Sequence, residues 1–191
     1  MTRLRRVLGS LLIVGVVGFV AGAGTFAAFS STSGNSANTY AAGTVYVSDN
    51  DAGSSMWSVS NQLPGASVTK CIRVTYTGSL DANVKLYTSS GSTGLDQYLD
   101  MTVDKGSMPS GTSFPACTSF SSESTIYSGT VQNFKSNKTS FASGVSAFPG
   151  AQTKWATNDT LVYRFTVTLQ NNSSAQGLSC TLALTWEARN Q

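Results

Sequence analysis

The sequence predicts an all-β fold, an antiparallel β-sandwich of about eight strands, and three observations predict it. Period-two alternation recurs, most clearly where Leu161, Tyr163, Phe165, Val167 and Leu169 interleave with Arg164, Thr166, Thr168 and Gln170. Such a strand has one dry face and one wet face. Beyond the leading residues no segment carries an amphipathic helix pattern. Turn sequences such as Leu63-Pro64-Gly65 and Phe148-Pro149-Gly150 punctuate the apolar runs. Half-wet strands bury their dry faces by packing two sheets face to face. About eight of them suggest a jelly roll. An immunoglobulin-like topology is the alternative, because alternation does not encode strand order.

The chain of 191 residues opens with a helical signal peptide over residues 1–27. Arg3, Arg5 and Arg6 form the positive region, an apolar run follows, and small residues close it. Cleavage between Ala27 and Ala28 puts Thr25 and Ala27 at the two positions where a signal peptidase requires small side chains. The alternative is a retained anchor, since Val7 to Phe29 is long enough to span a bilayer. Cleavage leaves 164 residues and removes three of the twelve basic side chains, so nine Lys and Arg face nine Asp and Glu. The mature chain is neutral, carries no basic patch and is not expected to bind nucleic acid. Low net charge also favours association.

Residues 28–39 form an extended leading segment, and residues 40–191 a single sandwich domain without internal repeats. Short strand candidates are Thr44–Ser48 and Met56–Ser60. Val68, Ile72, Val74 and Tyr76 then form a dry stripe, interrupted by Lys70, opposite Thr69, Cys71, Arg73 and Thr75. Asn83–Thr88, Tyr98–Asp104 and Thr125–Phe134 are further strands, with loops over Ser89–Gly94 and Lys135–Gly144. The closing strand sets Cys180, Leu182, Leu184 and Trp186 against Thr181, Ala183, Thr185 and Glu187.

Parity separates the three cysteines. Cys180 shares a face with core residues and reads as a small buried hydrophobe. Cys71 shares a face with Arg73 and points outward, and Cys117 lies in the loop-like stretch Ser113–Cys117. Export permits a disulfide, and Cys71–Cys117 is the favoured pairing.

The chain has no histidine, which removes Ser-His-Asp and Cys-His catalysis and any zinc site that needs imidazole. The cysteines lack zinc-ligand spacing, and no glycine-rich phosphate loop precedes a helix. No catalytic residue, metal site or cofactor is expected. Asp49-Asn50-Asp51-Ala52-Gly53 matches part of a calcium loop but lacks its closing Glu, and reads as a polar turn. Asp96, Asp100 and Asp104 read as a solvated face. Trp57, Trp155 and Trp186 offer a sugar-stacking platform only if all three are exposed. Asn137-Lys138-Thr139 and Asn158-Asp159-Thr160 match the glycosylation pattern.

Gly24-Thr25-Phe26-Ala27-Ala28-Phe29-Ser30, followed by Asn38-Thr39-Tyr40-Ala41-Ala42-Gly43-Thr44-Val45, resembles the TasA/camelysin family. Its members carry a Gly-Thr-aromatic-Ala-Ala-Phe processing site and then a stretch ending in Ala-Gly-Thr. The resemblance continues in Leu63-Pro64-Gly65, in Tyr163–Leu169 and in Ala175-Gln176-Gly177. It implies a jelly-roll subunit cut by a SipW-type signal peptidase, then secreted to the biofilm matrix or cell surface with no membrane association after cleavage. It further implies head-to-tail assembly with copies of itself into fibres by donor-strand exchange. The donor would be the segment from Ala28, with Phe29 as its strong plug and Ala37 as a lesser one. A disordered N-terminal tail is the other reading of that segment. The camelysin side of the family carries a metalloprotease label, which is not carried over to a chain without histidine. A secreted adhesin or carbohydrate-binding sandwich is the alternative function.

Overall fold

The computed structural model describes residues 41–191. The leader, the Ala27–Ala28 cleavage site and the donor positions Ala28, Phe29 and Ala37 lie outside the described residues. Ala42–Gln191 forms one compact unit. Its strands are β1 (Val47–Asp49), β2 (Ser67–Tyr76), β3 (Ala82–Ser90), β4 (Leu99–Ser107), β5 (Ser121–Thr130), β6 (Val145–Ser146), β7 (Thr160–Leu169) and β8 (Ala183–Asn190). A seven-residue helix, α1 (Val131–Asn137), follows β5.

The strands form two antiparallel sheets, one of five in the order β1-β2-β7-β4-β5 and one of three in the order β6-β3-β8. Most neighbours within a sheet are distant in sequence, so the chain repeatedly crosses between layers, as a sandwich requires. Alternation sets the register. Ile72 faces Tyr163 and Val68 faces Val167 across β2 and β7, while Val103 faces Phe165 across β4 and β7. In the small sheet Leu86 of β3 lies between Val145 of β6 and Trp186 of β8. The core between the layers fully buries Tyr76, Phe134, Trp155, Tyr163 and Phe165. Each such side chain contributes roughly 1.5–3 kcal/mol through burial.

Several expectations need correction. Met56–Ser60 forms no strand; it has strand-forming residues but no backbone ladder. The segment expected as a strand through Phe134 ends at Thr130, where α1 begins. Thr130 caps that helix, its hydroxyl accepting from the Asn133 N–H at 3.1 Å. Val131 and Phe134, three residues apart, then reach the core from one helical face. The first strand begins at Val47 rather than Thr44, and the closing strand begins at Ala183, beyond Cys180.

The excursion Met108–Phe120 covers one end of the large sheet's outer face. Arg73 holds it by donating to the carbonyls of Met108 and Ser110, at 3.1 and 2.8 Å. The Cys71 N–H donates to Pro115 O, and Cys71 is bonded to Cys117, with Cα atoms 5.2 Å apart. Phe120 stacks on the Arg164 guanidinium, 4.6 Å from ring centre to carbon. Cys71 therefore lies on the outward face of β2 and is nonetheless buried.

Candidate functional site

The acidic residues are spent on structure. Asp51 donates its backbone N–H to Asp49 and accepts from Gly53, which makes a polar turn. Burial pushes the Asp49 carboxyl up; the Asp51 N–H opposes this, while the Asp51 carboxylate adds to the rise. Two of the three carboxylates expected on a solvated face are buried. Asp96 is 1% exposed and pairs with Lys135 at 2.9 Å, while accepting from the Gly94 N–H. Burial pushes the Asp96 carboxyl up, but the Lys135 ammonium and the backbone donors outweigh it and hold it below the usual carboxylate range. Asp104 accepts from Arg164 at 2.8 Å and from Thr125 at 2.6 Å, beneath the Met108–Phe120 excursion. Only Asp100 is exposed. Among the described residues no group of three His, Cys, Asp or Glu side chains is arranged to hold a metal.

The tryptophans do not form an exposed platform. Trp155 is fully buried, and its indole N–H donates to Ala147 O at 2.7 Å. Trp57 and Trp186 are half-buried and both meet Phe165 edge to face, with centroids 5.5 and 6.4 Å apart. Burial pushes the Tyr163 hydroxyl far up. The adjacent Trp186 pulls it partly back, although its indole N–H falls short of hydrogen-bond geometry.

The feature with functional shape is the open side of the sandwich. Among the described residues β8 is an edge strand of the small sheet, with β3 on one side only. β1 is an edge of the large sheet and pairs with Val74–Tyr76 of β2; ahead of it the Arg73 N–H donates to Asn50 Oδ1 and the Cys71 N–H to Pro115 O, so among the described residues this edge is open only from Ser67 to Thr69. An unpaired edge presents backbone donors and acceptors at strand spacing. Between β8 and β1 lies a gap of about 240 Å³, lined by Val47, Leu184 and Trp186. It borders a larger groove of about 480 Å³ that reaches into the core past Met56, Trp57, Ile72, Val167 and Leu182. The two share Leu184 and Trp186. An extended edge beside an apolar trough can accept another strand by main-chain pairing and take its alternate side chains.

Cys180 lines this groove as a half-buried free thiol, and burial raises its pKa. Its parity with Leu182 and Trp186 was legible in the sequence. The groove was not, because it depends on which strands remain unpaired. Among the described residues no helix is long and apolar enough to cross a membrane.

A family model described as "Camelysin metallo-endopeptidase" matches residues 3–191. No curated protein matches the chain. The metal in that description does not fit the donor set here, where histidine is lacking throughout and the buried carboxylates are held by Lys135 and Arg164.

Proposed function

The chain belongs to the camelysin family, and on that footing we propose that it is a secreted structural subunit that polymerises into extracellular or biofilm-matrix fibres by donor-strand exchange. Family membership is consistent with a secreted biofilm-matrix protein. The observation that carries the reading is the edge of β8, unpaired among the described residues, beside an apolar groove. The donor is the segment from Ala28 to Thr39 of a neighbouring copy, released by a SipW-type signal peptidase. Its twelve residues reach about 40 Å when extended, more than the roughly 26 Å of an eight-residue strand. Phe29 plugs the groove, and Ala37 fits a shallower position. The contact joins one end of a subunit to the side of the next, so it does not close and it propagates. The neutral mature chain offers little repulsion to this assembly.

The subunit acts as a building block rather than an enzyme. Its partner is another copy of itself, and its location is the matrix or the cell surface. Changing Phe29→Asp in the mature protein tests the reading by electron microscopy. Filaments from the unaltered protein and none from the variant support it; equal filaments from both exclude Phe29 as the plug.

A further inference from the structure

One wall of the groove is a segment without strand pairing among the described residues. Ser55–Gln62 leaves the polar turn after β1 and runs along the side of the sandwich to the Leu63–Ala66 turn that starts β2. On its way it lines the groove through Ser55, Met56, Trp57, Ser58, Val59 and Gln62. It is eight residues long, the length of β8. The backbone N–H and C=O groups from Ser55 to Gln62 make no backbone hydrogen bond among the described residues. The one side-chain bond to them runs from the Ser55 hydroxyl to Trp57 O, within the segment itself. Only Met56, Trp57 and Gln62 are partly buried, and the rest is exposed. Its C-terminal end is tied by the Gln62 side-chain amide, which donates to Ala66 O at 2.9 Å, and the rest is held by two apolar side chains, the larger being Trp57 on Phe165. The Trp57 indole N–H is buried there without an acceptor among the described residues, so closure forfeits a hydrogen bond and regains none.

We propose that Ser55–Gln62 is a displaceable strap, latched by Trp57, that covers the groove in the free subunit and must lift before a donor strand enters. A segment that fills space without a ladder is weakly held and opens locally at low cost. An incoming strand that pairs with β8 offers the backbone bonds the strap lacks, so exchange favours the donor. In the free subunit the strap keeps the groove from capturing unrelated apolar segments. The inference rests on the donor-strand reading for its purpose, but the strap's covering role stands on its own.

Cys180 supplies the test, because it lines the covered groove and is the chain's free thiol. The labelling rate of Cys180 by a maleimide is measured in monomeric mature protein, unaltered and as Trp57→Ala, with Met56→Ser as a second variant that removes the other anchor. Labelling at least about tenfold faster in either folded variant is expected, since each anchor is a large share of what holds the strap shut. A shorter lag before filaments appear is expected alongside. Unchanged labelling in both folded variants overturns the strap. So does a normal lag in a variant whose Cys180 is freely labelled, because lifting would then not limit assembly. If the unaltered protein labels slowly, the variants label fast and no filaments form from any of them, the strap stands and the donor-strand reading falls.

Discussion

Replacing Cys71 and Cys117 together by alanine removes a cross-link between residues 46 apart in sequence. Closing a loop of that length in the unfolded chain costs about 4 kcal/mol by the chain-entropy relation, and measured losses on removing such links run at about 2–4 kcal/mol. The native fold should survive, because the Met108–Phe120 excursion keeps the Arg73 bonds to its carbonyls and the stacking of Phe120 on Arg164. The loss should therefore appear as reduced stability with native spectra retained. At roughly 2–4 °C per kcal/mol for a domain of this size, the melting point should fall by about 5–15 °C. Urea unfolding of the oxidised protein and the double variant measures it, and the slope should steepen because the uncrosslinked unfolded chain exposes more surface. A difference below about 0.5 kcal/mol, with the slope unchanged, would refute the view that this bond limits the unfolded ensemble.

The Asp96–Lys135 pair is the most sensitive electrostatic contact. Asp96→Ala strands Lys135, whose side chain is 9% exposed, and should cost about 3–5 kcal/mol in urea unfolding. The Asp96 carboxyl is held below its ordinary value, so its contribution is complete above the unfolded pKa near 4 and fades as the pH falls through the folded value. Unfolding at pH 6 and pH 3 should show a smaller penalty for the variant at the lower pH. Thr130→Ala removes the cap of α1 and should lower stability by about 1 kcal/mol, read from the same curves. Gly106 sits where an added Cβ would meet the Ser121 backbone oxygen, so Gly106→Ala should cost about 1–3 kcal/mol by overpacking, visible as a lower melting point.

The long strands β2, β7 and β8 were legible because alternation is a local property, and Ile72, Tyr163 and Trp186 fall on the faces their parity predicts. The helix α1 was hidden. It spans seven residues, too few for a helical period to stand out, and Val131 and Phe134 follow directly on a strand. Met56–Ser60 misled for the opposite reason. Its residues favour a strand, but a strand needs a neighbour with free backbone groups, and no ladder forms there. The burial of Asp96 and Asp104 could not be read either, because their partners Lys135 and Arg164 lie 39 and 60 residues away. Asp104 and Cys71 are both on a nominally wet face, and the Met108–Phe120 excursion that shelters them has no periodic signature. The groove is legible only once β8 is seen to end its sheet.

Hydrogen exchange along β8 tests the assembly directly. In the monomer, alternate amides between Ala183 and Asn190 point away from β3 and should exchange rapidly. In filaments of the mature protein these same amides should become protected, as the leading segment of the next copy pairs with them. If they exchange equally fast in filaments, the subunits are joined elsewhere and the account of this edge is wrong.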